Sequence, residues 1–181
     1  MKIIFATFLQ SLIFFQTALA EQVEFGISDK SISELSQFEY LKGEWDVTIQ
    51  TRQENGQFNS LENKAKVKGF YLQDGRSFQT IFSTTNGGFT TDIRSYDKEE
   101  HKWKILFMNA RAQRWHQFEA HMENEEMITF VPGGYSGKED FDVRIIDKDF
   151  SDKKFTKEVF RKLHNKDDWQ KIYIMNFERI R

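Results

Sequence analysis

Gly43-Glu44-Trp45-Asp46-Val47-Thr48-Ile49-Gln50 is the stretch on which the fold turns. Trp45, Val47 and Ile49 alternate with Glu44, Asp46, Thr48 and Gln50, and an apolar/polar period of two describes a strand with one buried face. The same period continues downstream. Ala65, Val67 and Gly69 alternate with Lys64, Lys66 and Lys68, and Asp74-Gly75 provides a hairpin turn into Phe78-Gln79-Thr80-Ile81-Phe82. Asn86-Gly87-Gly88 then turns the chain into a strand from Phe89 to Tyr96. Further strands are expected over 103–108, 113–122, 127–131, 140–146, 155–162 and 169–180, separated by charged or small turns. Pro132 to Gly137 is the longest of these connections and holds the only proline. Roughly ten short strands in sequential hairpins predict an all-β protein, an up-and-down antiparallel β-barrel whose closure removes exposed edges.

Upstream of Gly43 the pattern changes. Residues 21–38 are polar and small, and Ser31 or Ser33 is placed to cap one short helix running toward Tyr40. Residues 1–20 read as a secretory leader: Lys2 is the positive n-region, Ile3 to Phe15 an apolar run, and Ala18-Leu19-Ala20 a small-x-small cleavage signal. That run is too short for a stop-transfer helix, which needs about 20 apolar residues. The expected organisation is a leader over 1–20, an N-terminal segment over 21–38 and a barrel over 39–181, exported to a bacterial periplasm or the extracellular space.

The chain has no cysteine, so an exported fold cannot lean on disulfides and must bury its own core. Nineteen phenylalanines supply the material for one. With 28 acidic against 26 basic residues, the surface lacks the excess of positive charge that nucleic acid would require. No segment after the leader approaches membrane-spanning length, so no membrane span is expected.

Gly43-Glu44-Trp45, opening the first strand after a short helix, resembles the signature of the calycin superfamily. That resemblance implies that Trp45 plugs the closed end of the barrel and that an Arg on the last strand, Arg179 or Arg181, packs across it. The order Leu41-x-Gly43-x-Trp45, Gly75-Arg76, Arg94-Ser95-Tyr96-Asp97 with Trp103, then Trp169 with a terminal Arg is similar to a family of bacterial lipocalin-like domains. It covers nearly the whole segment after the leader. Lys166-Asp167-Asp168 stands where that pattern has a Gly-Gly turn.

Candidate lumen residues follow from parity. Phe78 and Phe82 share a face, as do His116 and Phe118, and as do Arg94, Tyr96 and Asp92. Arg144 lies with Asp142 on another strand. If Arg94 and Arg144 point inward, they give the lumen a polar end that could orient a carboxylate or phosphate head group. The alternative leaves both outward, as solvated partners of nearby acids. His116 and His121 are five apart, face opposite sides and cannot share a metal from one strand. Asp147-x-Asp149-x-Ser151 with Glu158 copies the oxygen spacing of a calcium loop, but Asp152 occupies the position that needs glycine, so an acidic turn is the better reading. No metal, cofactor or catalytic set is assigned.

These residues suit non-enzymatic binding of a small apolar or amphipathic molecule in the lumen. A calycin-type enzyme acting on a lumen-bound substrate, and a protein–protein or inhibitor module with a filled barrel, are the alternatives. The leader carries its own test: N-terminal sequencing of the native product should begin at Glu21, and an intact Met1 would refute export by this route.

Overall fold

The computed structural model describes residues 24–134 and 137–181. The leader and two residues of the Pro132–Gly137 loop lie outside that range. A nine-residue 3-10 helix, Ser33–Leu41, leads into the sheet. The strands are β1 (Gly43–Arg52), β2 (Phe58–Ser60), β3 (Ala65–Tyr71), β4 (Ser77–Thr84), β5 (Phe89–Asp97) and β6 (Lys102–Asn109). They continue as β7 (Arg114–Glu123), β8 (Glu126–Val131), β9 (Phe141–Lys148), β10 (Lys154–Leu163) and β11 (Gln170–Arg179).

All pairings are antiparallel. From β3 to β11 consecutive strands pair, β3 also pairs with β1, and β11 returns to β1. Ten strands thus close an up-and-down barrel of the kind the alternation predicted. The short β2, which the sequence pattern did not reveal, stands outside the ring. It pairs with the upper half of β1 from Gln50 to Arg52, while the lower half, Gly43 to Val47, pairs with β3.

The helix departs from expectation in its start. Its N-cap position is Ile32, and no side chain caps it. Ser33 instead donates to the Glu34 carboxylate, and the Ser31 N–H donates to Asp29. Tertiary packing holds the helix: Leu35, Phe38 and Leu41 are buried against the barrel end. Phe38 stacks on Phe78 at 5.5 Å and meets Trp103 edge-on at 4.7 Å. Tyr71 donates to the Leu35 carbonyl, and Trp103 Nε1 donates to Gln37. This end of the barrel is therefore shut.

Two opposed glycines make the closure tight. Gly43 and Gly69 are register partners on β1 and β3. Gly43 has φ of +112°, and a Cβ there would lie 2.5 Å from Arg179 Nη1 and 2.6 Å from the Arg181 carbonyl. A Cβ on Gly69 would lie 2.4 Å from the Leu41 carbonyl oxygen, which is where the helix rests on the sheet.

Trp45 is fully buried, donates from Nε1 to the Leu41 carbonyl at 3.0 Å and packs edge-on against Phe155 and Phe177. Arg179 sits opposite it in register, with its guanidinium carbon 4.2 Å from the ring centroid. The same guanidinium donates to the carbonyls of Lys42, Tyr40 and Asp152. Arg181 instead forms ion pairs with Glu44 and Glu24 at the surface. Of the two terminal arginines, Arg179 is the one over Trp45.

Truncating a buried aromatic costs about 3–5 kcal/mol, so urea melts of Trp45→Ala should show a loss of that order. Arg179→Ala should lower the midpoint clearly and Arg181→Ala very little, because exposed ion pairs add little. Equal midpoints for the two arginine variants would contradict this assignment.

Candidate functional site

Above the aromatic plug the barrel is hollow. A cavity of about 540 Å³ opens toward the end opposite the helix. Its wall is mainly apolar, with Ile49, Val67, Phe82, Ile105, Phe118 and Val159 among the residues that line it. They project inward because every second residue of a barrel strand does. Toward the mouth the lining becomes polar, with Asn63, Thr84, Asn86 and Thr90 beside an exposed Leu61. Here β1 has left β3 for β2, and the segment after β2 completes the wall: the Leu61 N–H donates to Ile49 and the Thr85 N–H to Lys64.

The floor is charged. Arg94, 8 % exposed, donates through Nε and Nη2 to the two Asp92 oxygens at 2.6 and 3.1 Å, and its guanidinium lies 4.4 Å from the Phe38 centroid. Asp147, 2 % exposed, accepts from Lys157 Nζ at 2.5 Å and from the Tyr40 hydroxyl at 2.6 Å. All four charged groups line the cavity. Burial pushes the Tyr40 phenol well above its ordinary value, and the Asp147 charge pushes it in the same direction. It is a permanent donor at neutral pH.

Two buried polar atoms of the lining have no hydrogen-bond partner among the described residues, Thr80 Oγ1 and His116 Nε2. They end one row of register partners, Thr80–Asp92–Phe107–His116, across β4 to β7. The His116 ring lies under the β8–β9 loop, where a Cβ on Gly137 would come within 2.9 Å of it.

Of the residues proposed for the lumen, Arg94, His116, Phe118 and Phe82 line the cavity. Phe78 and Tyr96 lie below it in the closed-end core, Phe78 against Phe38 and Tyr71, Tyr96 against Trp103. Arg144 is corrected to the outer face. Val143, Ile145 and Asp147 alternate inward on β9, so Arg144 points away, with its guanidinium over Phe160 and Trp169 at 5.3 and 4.9 Å. Arg94 points inward, yet its charge is matched by Asp92, so it does not offer the lumen a free cation. The acids at calcium-loop spacing part company: Asp147 lies under the cavity, while Glu158 pairs on the outside with Lys148 and Lys171.

Thr80, which shares the inward face of Phe78 and Phe82, lines the cavity as its parity implied. Asp147 and Lys157 are site residues that sequence reasoning passed over, although a signal existed for both. Asp147 continues the face of Val143 and Ile145, and Lys157 lies between Phe155 and Val159 on an otherwise apolar face. Lone opposite charges on the buried faces of adjacent strands suggest a buried pair.

Comparison with known proteins places the architecture. No family model matches the chain, and no curated protein is similar to it in sequence. Among solved structures it is similar to the S-type phycobiliprotein lyase CPES from Guillardia theta, with a TM-score of 0.54 and 12% identity over 80% of this chain and 90% of that one. It is also similar to Rv2717c from M. tuberculosis, with a TM-score of 0.55 and 8% identity over 83% and 99%. The fold is an up-and-down, lipocalin-like β-barrel. At these identities the likeness carries the fold alone.

The Tyr40–Asp147 contact predicts an alkaline signature. An unfolded tyrosine ionises near 10, whereas folded Tyr40 holds its proton above that. The native state therefore binds more protons there, and stability falls as pH rises past 10. Tyr40→Phe should cost about 1.5–3 kcal/mol at pH 7, the range for a hydrogen bond to a charged group, and should flatten the alkaline limb of a stability–pH curve. An alkaline limb unchanged in the variant would show that Tyr40 does not control it.

Proposed function

We propose that this chain is an exported binding protein that holds a small amphipathic molecule inside its barrel, and that it belongs with the bacterial lipocalin-like domains its motif order resembles. The cavity carries the functional reading. Its volume of about 540 Å³ falls inside the range of roughly 300–1,000 Å³ usual for small-molecule sites. Its wall is mostly apolar, with a few polar atoms at fixed positions, the composition expected where burial gives affinity and polar contacts give orientation. Export rests on the sequence of residues 1–20. Among the described residues no helix is long and apolar enough to cross a membrane.

The cavity also weighs between the alternatives. A barrel filled by its own phenylalanines, as a protein–protein module would have, leaves no such space; here the phenylalanines crowd the closed end. An enzyme needs a base or nucleophile free to meet its substrate. The floor acids and bases satisfy one another, Asp92 with Arg94 and Asp147 with Lys157 and Tyr40; the one unpaired imidazole nitrogen of the lining among the described residues, His116 Nε2, stands apart from them under the β8–β9 loop.

Ile145 lines the cavity between Thr129 and Val159. Ile145→Trp should fill much of the space, reducing binding of the apolar fluorophore N-phenylnaphthylamine at least tenfold (about 1.4 kcal/mol) while leaving the barrel folded by near-ultraviolet circular dichroism. Native mass spectrometry of protein purified from its own host should show a bound small molecule. Undiminished fluorophore binding in the tryptophan variant would refute the lumen as the site.

A further inference from the structure

The charged groups on the cavity floor are matched within the protein. Arg94 gives two donors to Asp92, and Lys157 answers Asp147, which also takes the Tyr40 hydroxyl. Two cations and two carboxylates leave the floor with no net charge. Two polar atoms of the lining are left over, Thr80 Oγ1 and, under the β8–β9 loop, His116 Nε2; the one beside the floor is a neutral hydroxyl. Thr80 is 6 % exposed, lines the cavity, stands opposite Asp92 in register, and its Oγ1 has no partner.

We propose that Thr80 anchors the polar head of the bound molecule and that the barrel selects uncharged amphiphiles (alcohols, ketones or amides) over carboxylates. The proposal rests on the small-molecule reading above and names the ligand class. A carboxylate reaching the floor would add a third negative charge where both cations are already engaged. To bind, it must draw Arg94 or Lys157 away and leave Asp92 or Asp147 buried without its counter-ion, a strongly unfavourable exchange. A hydroxyl requires no such exchange, because a threonine hydroxyl can donate to it or accept from it. The buried Oγ1 then gains the hydrogen bond that a buried polar atom otherwise lacks. The molecule therefore enters head first, with its chain along Ile105, Phe118 and Val159 toward the mouth.

The test is displacement of N-phenylnaphthylamine from the full barrel at pH 7 by octanol, octane and octanoate. It is run on the wild type, on Thr80→Val, which removes the hydroxyl at nearly constant shape, and on Thr80→Ser, which keeps it. Octanol should bind more tightly than octanoate. Thr80→Val should weaken octanol by up to about tenfold, the scale of one hydrogen bond, without weakening octane, and Thr80→Ser should retain the octanol affinity. The valine variant should also melt at or above the wild type, since a buried hydroxyl without a partner is gone. Octanoate binding as tightly as octanol would overturn the charge selection, and octanol binding unchanged in Thr80→Val would overturn the anchor; either result leaves the lumen itself standing as a site. If the fluorophore does not bind the wild type, or the Ile145→Trp barrel binds it equally well, the small-molecule reading fails and takes this inference with it.

Discussion

A sheet closed on itself has one seam that chain order does not provide, and here it is the pairing of β1 with β11. The ladder runs from Trp45 opposite Arg179 to Thr51 opposite Tyr173. With no cysteine in the chain, nothing covalent holds it. Arg179 fastens its lower end, covering the Trp45 ring and donating to backbone carbonyls before β1 and between β9 and β10. Because a slip of one residue would turn every side chain to the opposite face, this clasp also fixes which residues see the lumen. The left-handed backbone of Gly43 belongs to the same device, since any side chain there would occupy the space of the Arg179 guanidinium.

The helix does more than stop the end of the barrel. Phe38 lies under the Arg94 guanidinium, and two residues later Tyr40 donates to Asp147. A single short segment thus touches both buried ion pairs from below. Such pairs contribute little net stability, because taking each charge out of water costs several kcal/mol, but removing one partner is strongly destabilising. Their value lies in position. Each fixes the other's rotamer, and together they give the cavity a floor whose polarity is set and whose net charge is zero.

Much of this was legible in the residues, and the limits have physical causes. Period-two alternation located the ten strands of the ring, and the resemblance carried by Gly43-Glu44-Trp45 implied which end is closed. The short β2 escaped because three residues are too few to show a period. Facing was harder. On β5, Phe89, Thr91 and Ile93 look as apolar as the true inner face, because the outer surface of this barrel carries exposed Phe89, Ile93, Leu106 and Phe130. Arg144 was ambiguous for a related reason: it is covered from outside by Phe160 and Trp169, so an outward arginine sits in an apolar setting. Asp147 was hidden by its neighbours, since Asp149, Ser151 and Asp152 make the whole stretch look like a turn. Its parity with Val143 and Ile145 was the one sequence signal, and its contacts with Tyr40 and Lys157 distinguish it as the residue that belongs to the site.

That the barrel is hollow follows from where its large side chains stand. Inner positions nearest the helix are Trp45, Phe78, Trp103, Phe155 and Phe177, all essentially inaccessible. One or two inward steps along the same strands bring Ile49, Thr80, Ile105, Val159 and Met175, and then Thr84 and Tyr173. Barrel diameter is set by strand number and tilt and cannot shrink to follow smaller side chains. Aromatic rings meet across the axis at one end, whereas higher up Phe82, Phe107, Phe118 and Tyr173 are interspersed with threonine, valine and isoleucine and leave the axis open. The threonines are the telling choice. A methyl group in place of the Thr80 hydroxyl would leave the volume nearly unchanged and avoid a buried polar atom without a partner. A hydroxyl at that position serves packing no better than valine would, so its value lies in what it can hold.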